Sequence, residues 1–66
     1  MLLTVNGEGL DVPEECTVER LLELQGLSER PCAVEVNQEV VARKFHASRN
    51  VTEGDVIEIV TLVGGG

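Results

Sequence analysis

The chain of 66 residues ends in three glycines, Gly64, Gly65 and Gly66. This glycine run is the first feature of the sequence that indicates a chemical function. Glycine lacks a Cβ atom and ranges freely over φ and ψ, so such a run can extend as a thin thread into a channel that any side chain would block. The thread would deliver the α-carboxylate of Gly66, for which we expect a free C-terminus. A frayed end without a function is the alternative that a glycine run leaves open by itself.

A carboxylate at the end of this thread must be activated before it reacts, because its charge is delocalised and it carries no good leaving group. Transfer of an adenylyl group from ATP would convert the Gly66 carboxylate into a mixed anhydride, from which AMP leaves readily. A sulfur nucleophile on a partner could then displace AMP. The expected product is a terminal thiocarboxylate, which is a deliverable form of sulfide.

Three further side chains could take part in chemistry, namely Cys16, Cys32 and His46. Two cysteines this far apart are too few for a zinc site or a C-x-x-C redox pair, so no metal site is predicted. We predict that both are buried structural thiols, and a persulfide on either cysteine is the alternative. His46 has no serine, cysteine or paired carboxylate at catalytic spacing, and we predict a surface or loop histidine.

The composition restricts the partners and the compartment. A formal charge of −7 and a pI near 4.4 argue against binding to nucleic acid or to anionic membranes, since both need clustered lysine and arginine. No apolar run approaches the roughly 20 residues that span a bilayer, and the N-terminus lacks the pattern of a signal peptide. We therefore predict a cytoplasmic protein whose partners present basic surface.

The first half of the chain predicts a hairpin and a helix. Leucine, isoleucine and valine fill 21 positions, eleven of them valine, so we expect an aliphatic core rich in strand-forming residues. The stretch "MLLTVNGEGLDVP" predicts a hairpin with "NGEG" at its turn. The stretch "TVERLLELQG" predicts a short amphipathic helix that Thr17 caps and Gly26 closes. Its shared apolar face is formed by Val18, Leu21 and Leu22.

The second half predicts three strands and one irregular connection. The stretch "CAVEVNQEVVA" predicts a smaller hairpin with its turn at residues 37–39. The stretch "RKFHASRN" has no clean period, and we predict a connection that Phe45, the only aromatic residue, anchors in the core. The stretch "VIEIVTLV" predicts a central strand, because apolar residues occupy both of its faces.

The order of the elements predicts an α+β fold of the ubiquitin-like β-grasp type, with a mixed sheet of four to five strands packed on one helix. The first and last strands would lie parallel at the centre, because the intervening helix and hairpin are long enough for the crossover that a parallel pair needs. We assign residues 1–63 to this domain and residues 64–66 to a flexible C-terminal tail.

Alternation along the strands predicts which side chains stay outside the core. If the isoleucines of the last strand face the helix, then Leu2, Val60 and Leu62 face away from it and form an apolar patch beside the root of the tail. Such a patch on a small domain indicates a docking surface, and partial cover by loops is the alternative. Glu58 lies on the same face as Val60, where it could pair with a basic residue of a partner.

Five stretches that span nearly all of the chain carry a resemblance to a known family: "VNGE", "TVERLL", "VEVNQEVVAR", "GDVIEIVTLV" and the terminal "VGGG". In this order they resemble the sulfur-carrier protein of thiamine biosynthesis, which is related to the small subunit of molybdopterin synthase. The resemblance implies that an E1-like adenylyltransferase activates Gly66 with ATP, that a sulfur donor such as a cysteine desulfurase loads it, and that thiazole synthase receives the sulfur. Gly64 and Gly65 match the penultimate glycines of the family and would occupy narrow channels of both partner enzymes. The protein would be a co-substrate rather than an enzyme, with no stably bound cofactor, and a monomer when free.

Other functions stay open at this point. The same carrier chemistry could serve molybdopterin or another pathway, although the short chain and the triple glycine favour thiamine. The activated Gly66 could instead be joined to lysines of target proteins, as in a ubiquitin-like modifier. A plain interaction domain would use only the apolar patch. Adding one residue after Gly66 separates this last function from the others, because only the carboxyl chemistry would then fail.

Overall fold

The computed structural model of the protein describes residues 1–62, in which a five-stranded mixed sheet packs on one α-helix. In chain order the elements are β1 (Leu2–Val5), β2 (Glu8–Asp11), α1 (Val18–Leu24), β3 (Cys32–Val36), β4 (Glu39–Val41), a 3-10 helix (Arg43–Phe45) and β5 (Val56–Thr61). The strand order is β2-β1-β5-β3-β4, with β1 and β5 parallel and the other neighbours antiparallel. The predicted β-grasp arrangement, including its central parallel pair, is confirmed.

Both hairpins close through two-residue turns that begin with asparagine. Asn6 and Gly7 have φ angles of 50° and 83°, and Asn37 and Gln38 have φ angles of 52° and 71°. Positive φ at both central residues is typical of the type I′ turn, whose twist matches that of the strands it joins. The turns are shorter than predicted, because Glu8 and Gly9 of the first predicted turn already belong to β2, and Glu39 of the second already belongs to β4.

Helix α1 begins and ends as the sequence predicts. The Thr17 Oγ1 atom accepts a hydrogen bond from the backbone N of Arg20 at 3.1 Å, which satisfies one of the free N–H groups of the first turn. Gly26 follows the helix with a φ angle of 74°, a left-handed conformation that glycine adopts without strain. Across residues 1–62 no helix is long and apolar enough to cross a membrane.

The core lies between α1 and the inner face of the sheet. Ile57 and Ile59 of β5 point inward and are only 0% and 7% exposed, which confirms the predicted orientation of this strand. The remaining buried apolar residues are Leu3, Val5, Val12, Cys16, Val18, Leu21, Leu22, Val34, Val36 and Val51. The core is therefore aliphatic, as the composition predicts, and it includes the predicted apolar face of the helix.

The connection between β4 and β5 is anchored by His46 and not by Phe45. Phe45 is 52% exposed, and Lys44 Nζ lies 5.2 Å from the centroid of its ring, so the predicted aromatic anchor is wrong. His46 is 7% exposed, with Nε2 3.0 Å from the carbonyl oxygen of Val41, and its own carbonyl oxygen accepts a hydrogen bond from Glu19 N at the start of α1. The prediction was a surface or loop histidine: His46 does lie in the loop, but it is buried and not at the surface. The 3-10 helix turns the phenylalanine outward and the following residue inward.

Candidate functional site

Strand β5 leads to the C-terminal glycines and lies between β1 and β3 at the centre of the sheet. After its last residue, Leu62 N donates a hydrogen bond to Pro31 O at 2.9 Å, which continues the antiparallel pairing with β3. Leu62 and Pro31 therefore mark the root of the tail. Residues 63–66 lie outside the described residues. The predictions for Gly64, Gly65 and Gly66 fall in this range.

The start of β5 is fixed by Asp55, whose side chain is a buried carboxylate. Its oxygens accept hydrogen bonds from Asn37 Nδ2 at 3.0 Å, from Thr52 N at 2.8 Å and from Thr52 Oγ1 at 3.2 Å. Burial raises the pKa of the Asp55 carboxyl, but these hydrogen bonds, with help from the positive charge of Arg49, outweigh it and leave the pKa below its ordinary value. The ionised carboxylate ties the turn before β5 to the turn of the second hairpin.

The outer face of β5 carries the side chains that the sequence predicts outside the core. Val56, Val60 and Leu62 are 48%, 58% and 52% exposed, and Glu58 between them is exposed as well. We call these four residues together with Glu35 of β3 the outer patch. The predicted exposure of Glu58, Val60 and Leu62 on one face is confirmed, whereas their contact with a partner stays a prediction.

Glu58 faces a second carboxylate that the sequence analysis did not single out. In the pairing of β3 with β5, Glu35 lies directly opposite Glu58 on the outer face. Directly opposed side chains of an antiparallel pair have Cβ atoms about 4.5–5.5 Å apart, so two carboxylates at this position repel each other. Because Glu35 alternates with the buried Val34 and Val36, the sequence indicates that Glu35 lies on the outer face of the sheet. Only the register between β3 and β5 shows that Glu58 is its neighbour. The centre of the outer patch is thus acidic and is flanked by apolar side chains.

Leu2 is exposed on the same face of the sheet, but at the opposite end from the tail root. It is 55% exposed, as predicted, and its carbonyl oxygen accepts a hydrogen bond from Gly54 N at 2.8 Å. Leu62 lies eight residues further along the chain from Gly54, which corresponds to about 26 Å of extended strand. The predicted placement of Leu2 beside the tail root is therefore wrong, because the parallel register of β1 with β5 sets Thr4 opposite Val56 and so puts Leu2 beside Gly54, before β5 begins. A role for Leu2 in partner binding stays a prediction.

The two cysteines occupy different environments. Cys16 is 1% exposed, and burial raises the pKa of its thiol, a shift that the positive charges of Arg20 and of the N-terminal ammonium partly oppose. The predicted burial is confirmed for this residue, whereas its structural role stays a prediction. Cys32 is only partly buried, at the start of β3, and its Sγ lies 3.4 Å from Arg30 O. In the described range, residues 1–62, no group of three histidine, cysteine or acidic side chains could hold a metal ion.

A cavity of about 240 Å³ opens near the tail root. Cys32, which forms part of its wall, lies directly opposite Thr61 in the pairing of β3 with β5. The residues that line the cavity are Glu19, Leu22, Glu23, Ser28, Arg30, Cys32, Arg43 and His46. The sequence analysis missed this cavity because its wall is assembled from α1, the segment after it, the start of β3 and the 3-10 helix region, which are separated along the chain.

Two solved structures are similar to this chain over most or all of their length. The structure is similar to the crystal structure of a thiamine biosynthesis protein (ThiS) from Geobacter metallireducens, with 36% identity, full coverage of both chains and a TM-score of 0.83. It is also similar to the NMR solution structure of a thiamine biosynthesis protein from the same organism, with 35% identity, coverage of 100% of this chain and 88% of the other, and a TM-score of 0.80.

Two curated relatives match almost the whole chain. One is a thiazole synthase from Paramagnetospirillum magneticum (strain ATCC 700264 / AMB-1), 42% identical over 66 residues, which are 100% of this chain but only 20% of that protein. The other is the uncharacterized protein ycf40 of Porphyra purpurea, 28% identical over 64 residues, which are 97% of this chain and 90% of that protein. This chain therefore spans one fifth of the length of the thiazole synthase that it resembles.

The family assignment rests on the match over nearly the full sequence. The model of the ThiS family matches residues 3–66, a range that includes the described sheet except for Leu2, together with the glycine tail. The resemblance stated from the sequence motifs is thereby confirmed. The chain belongs to the ThiS family.

Proposed function

We propose that the protein is the sulfur carrier for the thiazole moiety of thiamine, and that it acts as a co-substrate of partner enzymes. Membership of the ThiS family over residues 3–66 is the observation that carries this proposal. The similarity to the solved thiamine biosynthesis proteins of Geobacter metallireducens supports the same pathway rather than molybdopterin synthesis. The carrier is proposed to be a cytoplasmic monomer when it is free.

The working group in this proposal is the α-carboxylate of Gly66. An E1-like adenylyltransferase uses ATP, so that a carboxylate oxygen attacks the α-phosphorus and pyrophosphate leaves. The outer sulfur of a persulfide on a donor such as a cysteine desulfurase then attacks the Gly66 carbonyl carbon, AMP leaves, and an acyl disulfide joins the two proteins. A thiol, acting as the reductant, attacks the donor's sulfur of that S–S bond, so that the donor leaves as a mixed disulfide and the second sulfur stays on Gly66. The chain ends as a thiocarboxylate, and ATP remains a substrate of the activating enzyme.

Thiazole synthase is the proposed acceptor. The thiazole synthase of P. magneticum contains a segment that is 42% identical to this chain within one polypeptide. Two units joined in one polypeptide are held at high effective concentration, which is useful where they act on each other. This relationship supports a physical contact between this carrier and a separate thiazole synthase. In that contact, we propose that Gly64 and Gly65 lead the glycine end into a channel of the enzyme.

The outer patch is the proposed docking surface for the partner enzymes. Val60 and Leu62 offer exposed apolar area next to the tail root, while Glu58 and Glu35 place two carboxylates between the apolar side chains. Opposite charge on the partner would relieve the repulsion between these carboxylates and orient the carrier. The chain's net charge of −7 favours a basic surface on the partner in the same way.

Intact-mass spectrometry tests the chemistry directly. Incubation with ATP, the activating enzyme, a sulfur donor and a thiol should raise the mass of the chain by the difference between one sulfur and one oxygen atom. A matched chain with one alanine added after Gly66 should show no increase, because its terminal carboxyl group lies beyond the glycine run. An unchanged mass of the unmodified chain, or equal loading of both chains, contradicts the proposal. Stable isopeptide conjugates without any thiocarboxylate would point to a protein modifier instead.

A further inference from the structure

Asn6 and Gly7 are the only Asn-Gly pair of the sequence, and they form the two-residue turn between β1 and β2. An asparagine followed by glycine carries the atoms for an intramolecular reaction, because the backbone nitrogen of the second residue can attack the side-chain amide carbon of the first. Glycine leaves that nitrogen unhindered, since it lacks a Cβ atom. Both residues are exposed, and nothing lies within 4 Å of the position that a Cβ atom of Gly7 would take. Water therefore has access to this turn.

The reaction converts Asn6 into an acid, and water is its only co-reactant. The Gly7 nitrogen bonds to Cγ of Asn6, its proton passes to the departing amide nitrogen, and ammonia leaves a five-membered succinimide ring behind. Water then opens the ring at one of its two carbonyl carbons. Opening at one carbon gives aspartate, and opening at the other gives isoaspartate, whose main chain is longer by one methylene group.

Strand β5 holds the side chain of Asn6 away from this reaction. Nδ2 donates a hydrogen bond to Ile59 O at 3.1 Å, and Oδ1 accepts one from Ile59 N at 2.8 Å. The backbone N of Asn6 donates to Ile57 O at 2.9 Å, which ties the same residue to β5 a third time. Attack on Cγ makes the planar amide tetrahedral and expels Nδ2. Both side-chain hydrogen bonds must therefore break before the Gly7 nitrogen can react.

We propose that Asn6 is a deamidation site that the folded protein keeps closed, and that opening of its pairing with Ile59 is the step that admits the reaction. Proteins open locally at a lower free-energy cost than that of global unfolding, so the site becomes reactive without loss of the whole fold. The modification thus marks chains in which the first hairpin has separated from β5.

The product cannot restore the pairing that protected the asparagine. Aspartate lacks the donor and sets a carboxylate oxygen against Ile59 O. Isoaspartate lengthens a two-residue turn, and the length of this turn fixes the register of β1 with β2. Because Leu62 follows Ile59 by three residues, deamidation at Asn6 loosens the strand that leads to the glycine tail.

Peptide mapping by mass spectrometry measures the reaction in the full chain, incubated at mildly alkaline pH in buffer and in guanidinium chloride. In the denaturant, Asn6 should deamidate faster than Asn37 and Asn50. The residues that follow those two, Gln38 and Val51, carry side chains that hinder the backbone nitrogen. In buffer, deamidation of Asn6 should be at least about fivefold slower than in the denaturant, because two hydrogen bonds favour the closed pairing by that factor or more. Equal rates in the two solutions would overturn the inference.

Hydrogen exchange at Ile59 N tests the opening step itself, because the acceptor of this N–H group is Asn6 Oδ1. Folding should slow deamidation at least as much as it slows this exchange, since both need the pairing open. Ile59→Val trims a buried side chain of β5 and should accelerate both processes by about 2- to 10-fold. Val60→Ser, on the exposed face, is the matched control and should leave both nearly unchanged. Deamidation that outruns the exchange, or that stays constant in Ile59→Val while the exchange accelerates, would overturn the inference.

Discussion

Asn6 extends the pairing of β1 with β5 by means of its side chain. Its Nδ2 donates to Ile59 O at 3.1 Å, and its Oδ1 accepts from Ile59 N at 2.8 Å. The backbone N of Asn6 already donates to Ile57 O at 2.9 Å, so the side-chain amide takes the place of the next residue of a parallel strand. The backbone itself turns away into the hairpin with a φ angle of 50°. The strand that leads to the tail is thus held three residues before Leu62.

Substitution Asn6→Gly should lower the free energy of unfolding by about 1–3 kcal/mol, because two partly buried backbone groups of Ile59 lose their partner while the positive φ is still tolerated. Urea unfolding followed by circular dichroism measures the change. Asn6→Asp keeps the acceptor for Ile59 N but sets a carboxylate oxygen against Ile59 O, so it should lower the stability as well. Equal stability of the glycine variant and the unmodified chain would show that the side-chain pairing contributes nothing.

Asp55→Asn should destabilise the protein at neutral pH, and the loss should shrink as the solution is acidified. The folded-state pKa of Asp55 lies below its ordinary value, because the hydrogen bonds from Asn37 and Thr52 outweigh the effect of burial. Its stabilising contribution is therefore complete above the unfolded-state pKa of about 3.9 and disappears as the pH falls through the lower folded-state pKa. Urea unfolding of both chains over a series of acid pH values measures this. A difference that is constant across the series would contradict the assigned shift.

The parts of the fold that follow a local pattern could be predicted from the sequence. Alternation along "VIEIVTLV" gives the inner and outer faces of β5, and the spacing of Val18, Leu21 and Leu22 gives the buried face of α1. Both patterns depend only on the period of the element, which is 2 for a strand and 3.6 for a helix. The cap at Thr17 is local in the same sense, since its partner is three residues away.

The features that depend on register and on distant contacts could not be predicted. Hydrophobicity alone favours Phe45 over His46 as the buried residue, and only the contact of His46 with Val41 and α1 reverses the order. The distance from Leu2 to the tail root depends on how two parallel strands are shifted against each other, for which a single strand carries no signal. The opposition of Glu35 and Glu58 and the shared cavity wall near the tail are further results of register and assembly.

Glu58→Gln should stabilise the free protein and weaken its complex with a partner enzyme. Removal of one of two directly opposed carboxylates relieves repulsion with Glu35, which is worth about 0.2–1 kcal/mol in the free energy of unfolding. The same change removes a charge that a basic partner would use, so the dissociation constant measured by calorimetry should rise, most clearly at low salt. Glu53→Gln is a control of equal charge that lies outside the outer patch. An unchanged affinity for Glu58→Gln, relative to this control, would remove Glu58 from the docking surface.

Val60→Ser and Leu2→Ser separate the two ends of the outer face. The two side chains are 58% and 55% exposed, so either substitution should change the free energy of unfolding only slightly. If docking is centred on the tail root, Val60→Ser should reduce the affinity for the activating enzyme more than Leu2→Ser does, because Val60 lies two residues from Leu62 and Leu2 lies at the far end. Equal losses of affinity would mean that the partner covers the whole length of the sheet.

Alkylation of the native protein should modify Cys32 and spare Cys16. Cys16 is 1% exposed and burial raises the pKa of its thiol, so both access and the thiolate fraction are low, whereas Cys32 is only partly buried. Mass spectrometry after brief treatment with iodoacetamide should find one modified residue in the folded chain and two after unfolding. Because Cys16 is closed to a sulfur donor, a persulfide mechanism within this protein could use only Cys32.

The variant Cys32→Ser should nevertheless gain the terminal sulfur at the normal rate, since the sulfur in the proposed chemistry goes directly to Gly66. A variant that folds but is never loaded would instead make Cys32 the carrier of the persulfide.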